Sequence, residues 1–108
     1  MRVYAVADIH GKNKRFERIR DNLSDLKADI LVLAGDISNF TKPEKILSRF
    51  NELPLPVLVI RGNSDLKRVD HLLTAFPNCI PIHAVCTKIQ PISFVGIGGT
   101  LTIPFRSR

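Results

Sequence analysis

Three apolar segments of the chain run directly into side chains that hard and borderline divalent cations take as ligands. VYAVA leads into Asp8-Ile9-His10, ILVLAG into Asp36, and VLVI through Arg61-Gly62 into Asn63. Carboxylate, imidazole and carboxamide groups suit such ions, and alternation along an extended segment points Asp8 and His10 the same way. Taken singly, each has a plainer explanation: an Asp after a strand often caps the next helix, and Gly62-Asn63 can be a turn. Together they count for more, because each falls at the carboxyl end of an expected strand, where open α/β sheets gather their ligands.

The elements that must position these residues follow from periodicity. Residues 3–7 form a short apolar run that fits a buried parallel strand. The period then changes: Phe16, Ile19, Leu23 and Leu26 recur at helical spacing, with Asn13 as the expected N-cap. Ile30 to Ala34 repeat the strand signal, ended by Gly35-Asp36. Thr41, Pro43 and Glu44 match a capping box for a second helix with Ile46, Leu47, Phe50 and Leu53 on its apolar face, and Pro54 and Pro56 stop it. Val57 to Ile60 form a third strand, after which Ser64 or Asp65 caps a helix carrying Val69, Leu72, Leu73 and Phe76. Ile80 to Ile89 and Ile92 to Ile97 read as two consecutive strands, with Pro91 between them. Three strand-helix units in succession imply an α/β fold with parallel strands and right-handed crossovers, followed by two strands.

At 108 residues, 44% apolar and 24% charged, the chain has the size and composition of one folded domain. No apolar run approaches the roughly 20 residues that span a bilayer, and the first strand meets Asp8 at once, so neither a membrane span nor a signal peptide is expected. Cys79 and Cys86 form no CxxC pair and read as reduced thiols of a cytoplasmic protein. The net charge of +6 points to an anionic partner such as a phosphate ester, a nucleotide or nucleic acid. A solvated basic surface explains it as well, because the cations are spread over several segments.

Taken together as D-x-H, G-D and G-N-x-D, these residues resemble the calcineurin-like metallophosphoesterases, in that family's order and from Met1 to about Gly99. The resemblance implies the N-terminal half of a metallophosphoesterase-type α/β sandwich and a metal-dependent phosphoesterase using a dinuclear centre. Asp8 and His10 would bind the first metal, Asp36 would bridge both, and Asn63 would bind the second. Asp36, Asn63 and Asp65 carry the implied catalytic roles, Asp65 by orienting its neighbours, although helix capping explains it equally. Mn²⁺, Fe or Zn²⁺ suits the mixed donors, with Mg²⁺ and Ni²⁺ also admissible.

Two departures from the family pattern qualify this. Ser64 stands where many members have a histidine thought to help the leaving group, and a serine is no general acid near neutral pH. The family completes its metal sites with further histidines in its C-terminal half, including a G-H-x-H motif, whereas this chain has only His10, His71 and His83. His71 reads as a surface residue and His83 as part of an apolar strand. The expectation is therefore a single, apparently truncated domain over residues 1–108, with incomplete metal sites and weak or absent hydrolysis.

Lys12, Lys14 and Arg15 follow the first motif, and Arg61, Lys67 and Arg68 surround the third. They favour an anionic substrate, nucleic acid included. The Gly96, Gly98 and Gly99 cluster fails the dinucleotide-binding fingerprint, because Leu101 stands at the third glycine position, and reads as a tight loop. The alternative from another class is a non-catalytic interaction or assembly module. A half-domain exposes strand edges and an apolar face, so a homodimer or larger assembly is expected.

Overall fold

A computed structural model of the chain describes residues 1–35, 37, 43–60, 72–82 and 86–96. Strand β1 spans Val3–Val6, helix α1 Asn13–Leu26, strand β2 Ile30–Ala34, helix α2 Pro43–Asn51 and strand β3 Val57–Ile60. A 3₁₀ turn at Leu73–Ala75 leads into β4, Cys79–Pro81, and then β5, Cys86–Ile89, and β6, Ile92–Val95. Strands β1 to β4 make one parallel sheet in chain order, and β5–β6 form a separate antiparallel hairpin. The expected α/β class with parallel strand-helix units holds.

Sequential strand order with right-handed crossovers sends the connecting helices to one face of the sheet. Packing agrees. Phe16, Ile19 and Leu23 of α1 and Ile46, Leu47 and Phe50 of α2 share one core with Leu31, Leu33, Val57, Val59 and Cys79. The Phe16 and Phe50 rings meet edge to face at 4.9 Å, locking the two helices together. Alternate strand residues point the other way. There Ile30, Leu58 and Ile82 are buried with Val32, Ile60, Ile80, Ile89 and Phe94, so the β5–β6 hairpin covers this second face.

Gly96, just after β6, makes that close approach possible: its N–H donates to the Ile82 carbonyl at 3.0 Å, and a Cβ there would stand 2.9 Å from side-chain carbons of Ile60 and Ile82. A glycine is required for contact, not for conformation.

Several local expectations are corrected. The run from Ile80 to Ile89 is two strands belonging to two different sheets, with β4 adding a fourth parallel strand beside β3. Pro81 ends β4 at the sheet edge, where the missing N–H is tolerated. The first strand stops at Val6 and not at residue 7. Lys12, not Asn13, is the N-cap of α1, and it makes no side-chain capping bond. Asn13 instead accepts a hydrogen bond from Arg49 Nη1 at 3.2 Å, tying α1 to α2. Leu26 is 51% exposed because α1 ends there in a left-handed Lys27, and Leu53 is buried from the loop beyond α2. Thr41, residues 61–71 including the Ser64 or Asp65 cap and Val69, and residues 97–108 lie outside the described residues.

Candidate metal centre

Register brings the strand ends level: Val6, Leu33 and Val59 stand in one row across β1, β2 and β3. Asp8 follows that row by two residues along the chain, while Asp36 and Asn63 follow it by three and four. Parallel pairing thus makes the three strands end side by side.

After β1 the chain turns sharply through Asp8, Ile9, His10 and Gly11. Ile9 is 1% exposed and packs into the helix-side core, which turns its two polar neighbours away from the interior. Asp8 and His10 take φ of 58° and 52°. The left-handed region costs a non-glycine residue roughly 1–2 kcal/mol, and such residues concentrate at functional sites. Gly11 follows at φ 69°, where lack of a Cβ removes the penalty.

Extended-chain alternation alone would pair Asp8 and His10. The structure brings them together by a left-handed turn, with the same outcome: His10 Nε2 lies 3.6 Å from Asp8 Oδ1. Their side chains are 32% and 69% exposed, open to a cation or substrate arriving from solvent. Two donors on one ion, each about 2.0–2.2 Å from it, stand roughly 3–3.6 Å apart for angles of about 90–120°. The observed span is at the wide end of that range, so the pair fits a single divalent cation with little adjustment.

Backbone contacts hold the turn. Gly11 N–H donates to the Ile37 carbonyl at 2.7 Å, and Lys12 N–H to the Ile9 carbonyl at 3.2 Å. The first of these joins the exit of β1 to the exit of β2, because Gly35 (φ 93°) and the buried Ile37 are the residues on either side of Asp36. The Arg15 guanidinium donates to the Asp8 carbonyl. Arg15 lies in the first turn of α1, which contains no acidic residue, so Lys12, Lys14 and Arg15 crowd the positive end of the helix dipole. That arrangement opposes helix stability and favours an anion near Asp8.

Asp36, Asn63, Ser64, Asp65, Lys67, Arg68, His71 and His83 lie outside the described residues, as does Arg61. Among the described residues no third carboxylate, imidazole or thiolate joins Asp8 and His10. A surface cleft of about 330 Å³ lined by Arg20, Leu23, Lys27 and Leu55 opens at the far end of α1, away from this pair. Cys79 is buried against the Leu47 carbonyl, and burial pushes its thiol up to about 12, so it is a core residue and not a nucleophile. Cys86 is exposed, and both thiols are free. The tie from Arg15 to Asp8 is barely legible in the sequence. Its one signal is a cluster of cations at a helix start, where acids normally sit.

The sequence profile of the calcineurin-like phosphoesterases matches residues 1–103. The chain belongs to that family. It is 36% identical to an uncharacterised protein of Methanocaldococcus jannaschii, MJ1162, over 99% of this chain and 47% of that protein. It is 31% identical to the phosphodiesterase YfcE of Escherichia coli, over 83% of this chain and 53% of that enzyme. The chain therefore spans about half the length of the curated relatives it matches. A solved crystal structure superposes with a TM-score of 0.74 at 18% identity, covering 93% of this chain and 53% of its own, and supports the fold alone. No helix among the described residues is long and apolar enough to cross a membrane.

Proposed function

We propose that this chain carries the N-terminal share of a two-metal phosphoesterase centre acting on phosphate mono- or diesters. The observation that carries the proposal is the Asp8–His10 pair at the carboxyl end of β1, with the Gly11–Ile37 hydrogen bond drawing the flank of Asp36 to it. Asp8 and His10 would hold one cation, Asp36 would bridge to a second, and Asn63 would hold that second one. When bound, the two ions supply a deprotonated water for in-line attack on phosphorus and offset the charge on its oxygens.

The chain's own contribution is placement and charge. The left-handed turn presents the Asp8 carboxylate and His10 imidazole to one point, and a bridging Asp36 carboxylate would lower the repulsion between neighbouring cations. Lys12, Lys14 and Arg15 at the positive end of α1 raise the local concentration of an anionic ester, nucleic acid included. Asp65 is assigned the orientation of its neighbours. Mn²⁺, Fe or Zn²⁺ suits the mixed donors better than Mg²⁺. These four ligands leave both ions open, so the chain alone binds metal weakly and turns over slowly. The reading is tested by Mn²⁺-dependent hydrolysis of bis-p-nitrophenyl phosphate: any turnover disappears in Asp36→Asn. Turnover that persists in Asp36→Asn contradicts it.

A second reading, a non-catalytic assembly module, is favoured by the open part of the sheet's second face, where Val3 is 44% exposed, and by Val95 on the hairpin at 64%. A homodimer or larger assembly would cover it. Light scattering that shows metal-independent association, without turnover at any metal concentration, selects this reading over the enzyme.

A further inference from the structure

We propose that Arg15 is a positioning residue: its guanidinium, by holding the Asp8 carbonyl, keeps the Asp8–His10 turn in the form that presents both ligands to one cation. The inference rests on the metal-site reading above and adds a residue to it.

A metal site made of two ligands in a tight turn depends on both backbone conformations at once. Asp8 and His10 both sit at positive φ, which neither residue favours on its own. Rotation of Asp8 back to the extended region would swing its carbonyl and carboxylate together and part Oδ1 from Nε2. Whatever fixes the Asp8 carbonyl therefore fixes the ligand pair. The Arg15 guanidinium donates to that oxygen.

The anchor is carried on a rigid element. Arg15 adjoins Phe16, which is 3% exposed, packs on Phe50 and sits under the Arg49 guanidinium at 4.5 Å. Helix α1 is thus clamped at this point, and the Arg15 side chain reaches back seven residues from a fixed base. Its location also argues against a merely structural surface role. A cation in the first turn opposes the helix dipole, so Arg15 weakens α1 itself and is better explained by what it holds.

The sign of the effect separates positioning from charge. A guanidinium beside a metal site repels the incoming cation, so if Arg15 acted through charge alone, its removal would tighten metal binding. Positioning predicts the opposite. The experiment compares wild type with Arg15→Met and Arg15→Lys by Mn²⁺ titration calorimetry and by amide exchange of Gly11 in the metal-free chain, with circular dichroism to confirm folding.

Arg15→Met is expected to weaken Mn²⁺ about tenfold, the lower end of what is lost with a supporting partner of a metal ligand. The Gly11 amide, bonded to Ile37, is expected to exchange about tenfold faster without metal, as the turn opens locally. Arg15→Lys, which keeps a donor and the charge, recovers part of both. Mn²⁺ binding unchanged or tighter in Arg15→Met overturns the proposal, and so does an unchanged Gly11 exchange rate. Should wild type bind no Mn²⁺, the metal reading fails, while Gly11 exchange still decides whether Arg15 holds the turn.

Discussion

On the helix side of the sheet, Leu31, Leu33, Val57 and Val59 are 0–1% exposed beneath α1 and α2, whereas on the other side burial depends on position. Ile30, Leu58 and Ile82 are sealed with the β5–β6 hairpin, but Val3 of β1 is 44% exposed and Ala5 and Ala34 are also open. The difference teaches where the molecule is self-sufficient. The helix side is a finished core. The hairpin finishes the second face over β3, β4 and most of β2, leaving it open behind β1, an end strand of the sheet and the one that leads into Asp8. The Asp8–His10 turn thus follows the strand whose second face is least covered.

The comparison breaks most visibly at Phe50. Phe50→Ala opens a cavity in the finished core and is expected to cost about 3–5 kcal/mol in urea unfolding. A loss under about 1 kcal/mol would mean that the helix side is not the main core. On the hairpin side, Gly96→Ala must displace Ile60 and Ile82, and an overpacking cost of about 1–3 kcal/mol is expected.

The two thiols report the same contrast. Cys79 lies in the finished core and Cys86 on the hairpin, so a thiol reagent at pH 8 should modify one group in the folded chain and two after unfolding. Because burial raises the Cys79 thiol from 9.0 to about 12, the unfolded chain loses that proton first as pH rises. Its contribution is intact below pH 9 and is lost between pH 9 and 12, visible as a falling urea midpoint that Cys79→Ala flattens. The smallest effect belongs to the open region. Val3→Ser should change stability by less than about 0.5 kcal/mol, and a larger, concentration-dependent loss would show that this face is covered by a second copy.

Much of this was legible because the parallel strands read as continuous apolar runs, although β1 is covered on one face only. VYAV, ILVLA and VLVI announce β1, β2 and β3 almost to the residue, and the helical spacing of Phe16, Ile19 and Leu23 announces α1. The same property hid β4: Cys79-Ile80-Pro81 looks like the start of the run that ends at Ile89, and only pairing with β3 separates them. Asn13 looks like a cap from local spacing because its real partner, Arg49, is 36 residues away. At the site, D-x-H marks Asp8 and His10 as a pair, but not the left-handed turn that unites them or the arginine that donates to the Asp8 carbonyl. Those are tertiary facts, set by Ile9 entering the core and by Ile37 accepting from Gly11.

The central claim, that Asp8 and His10 begin a metal centre which this chain leaves open, is tested most directly by titrating Mn²⁺ into wild type and Asp8→Asn by calorimetry. The account predicts weak binding to the wild type that is lost in Asp8→Asn. Two tight equivalents per chain, or binding indifferent to Asp8→Asn, would contradict it.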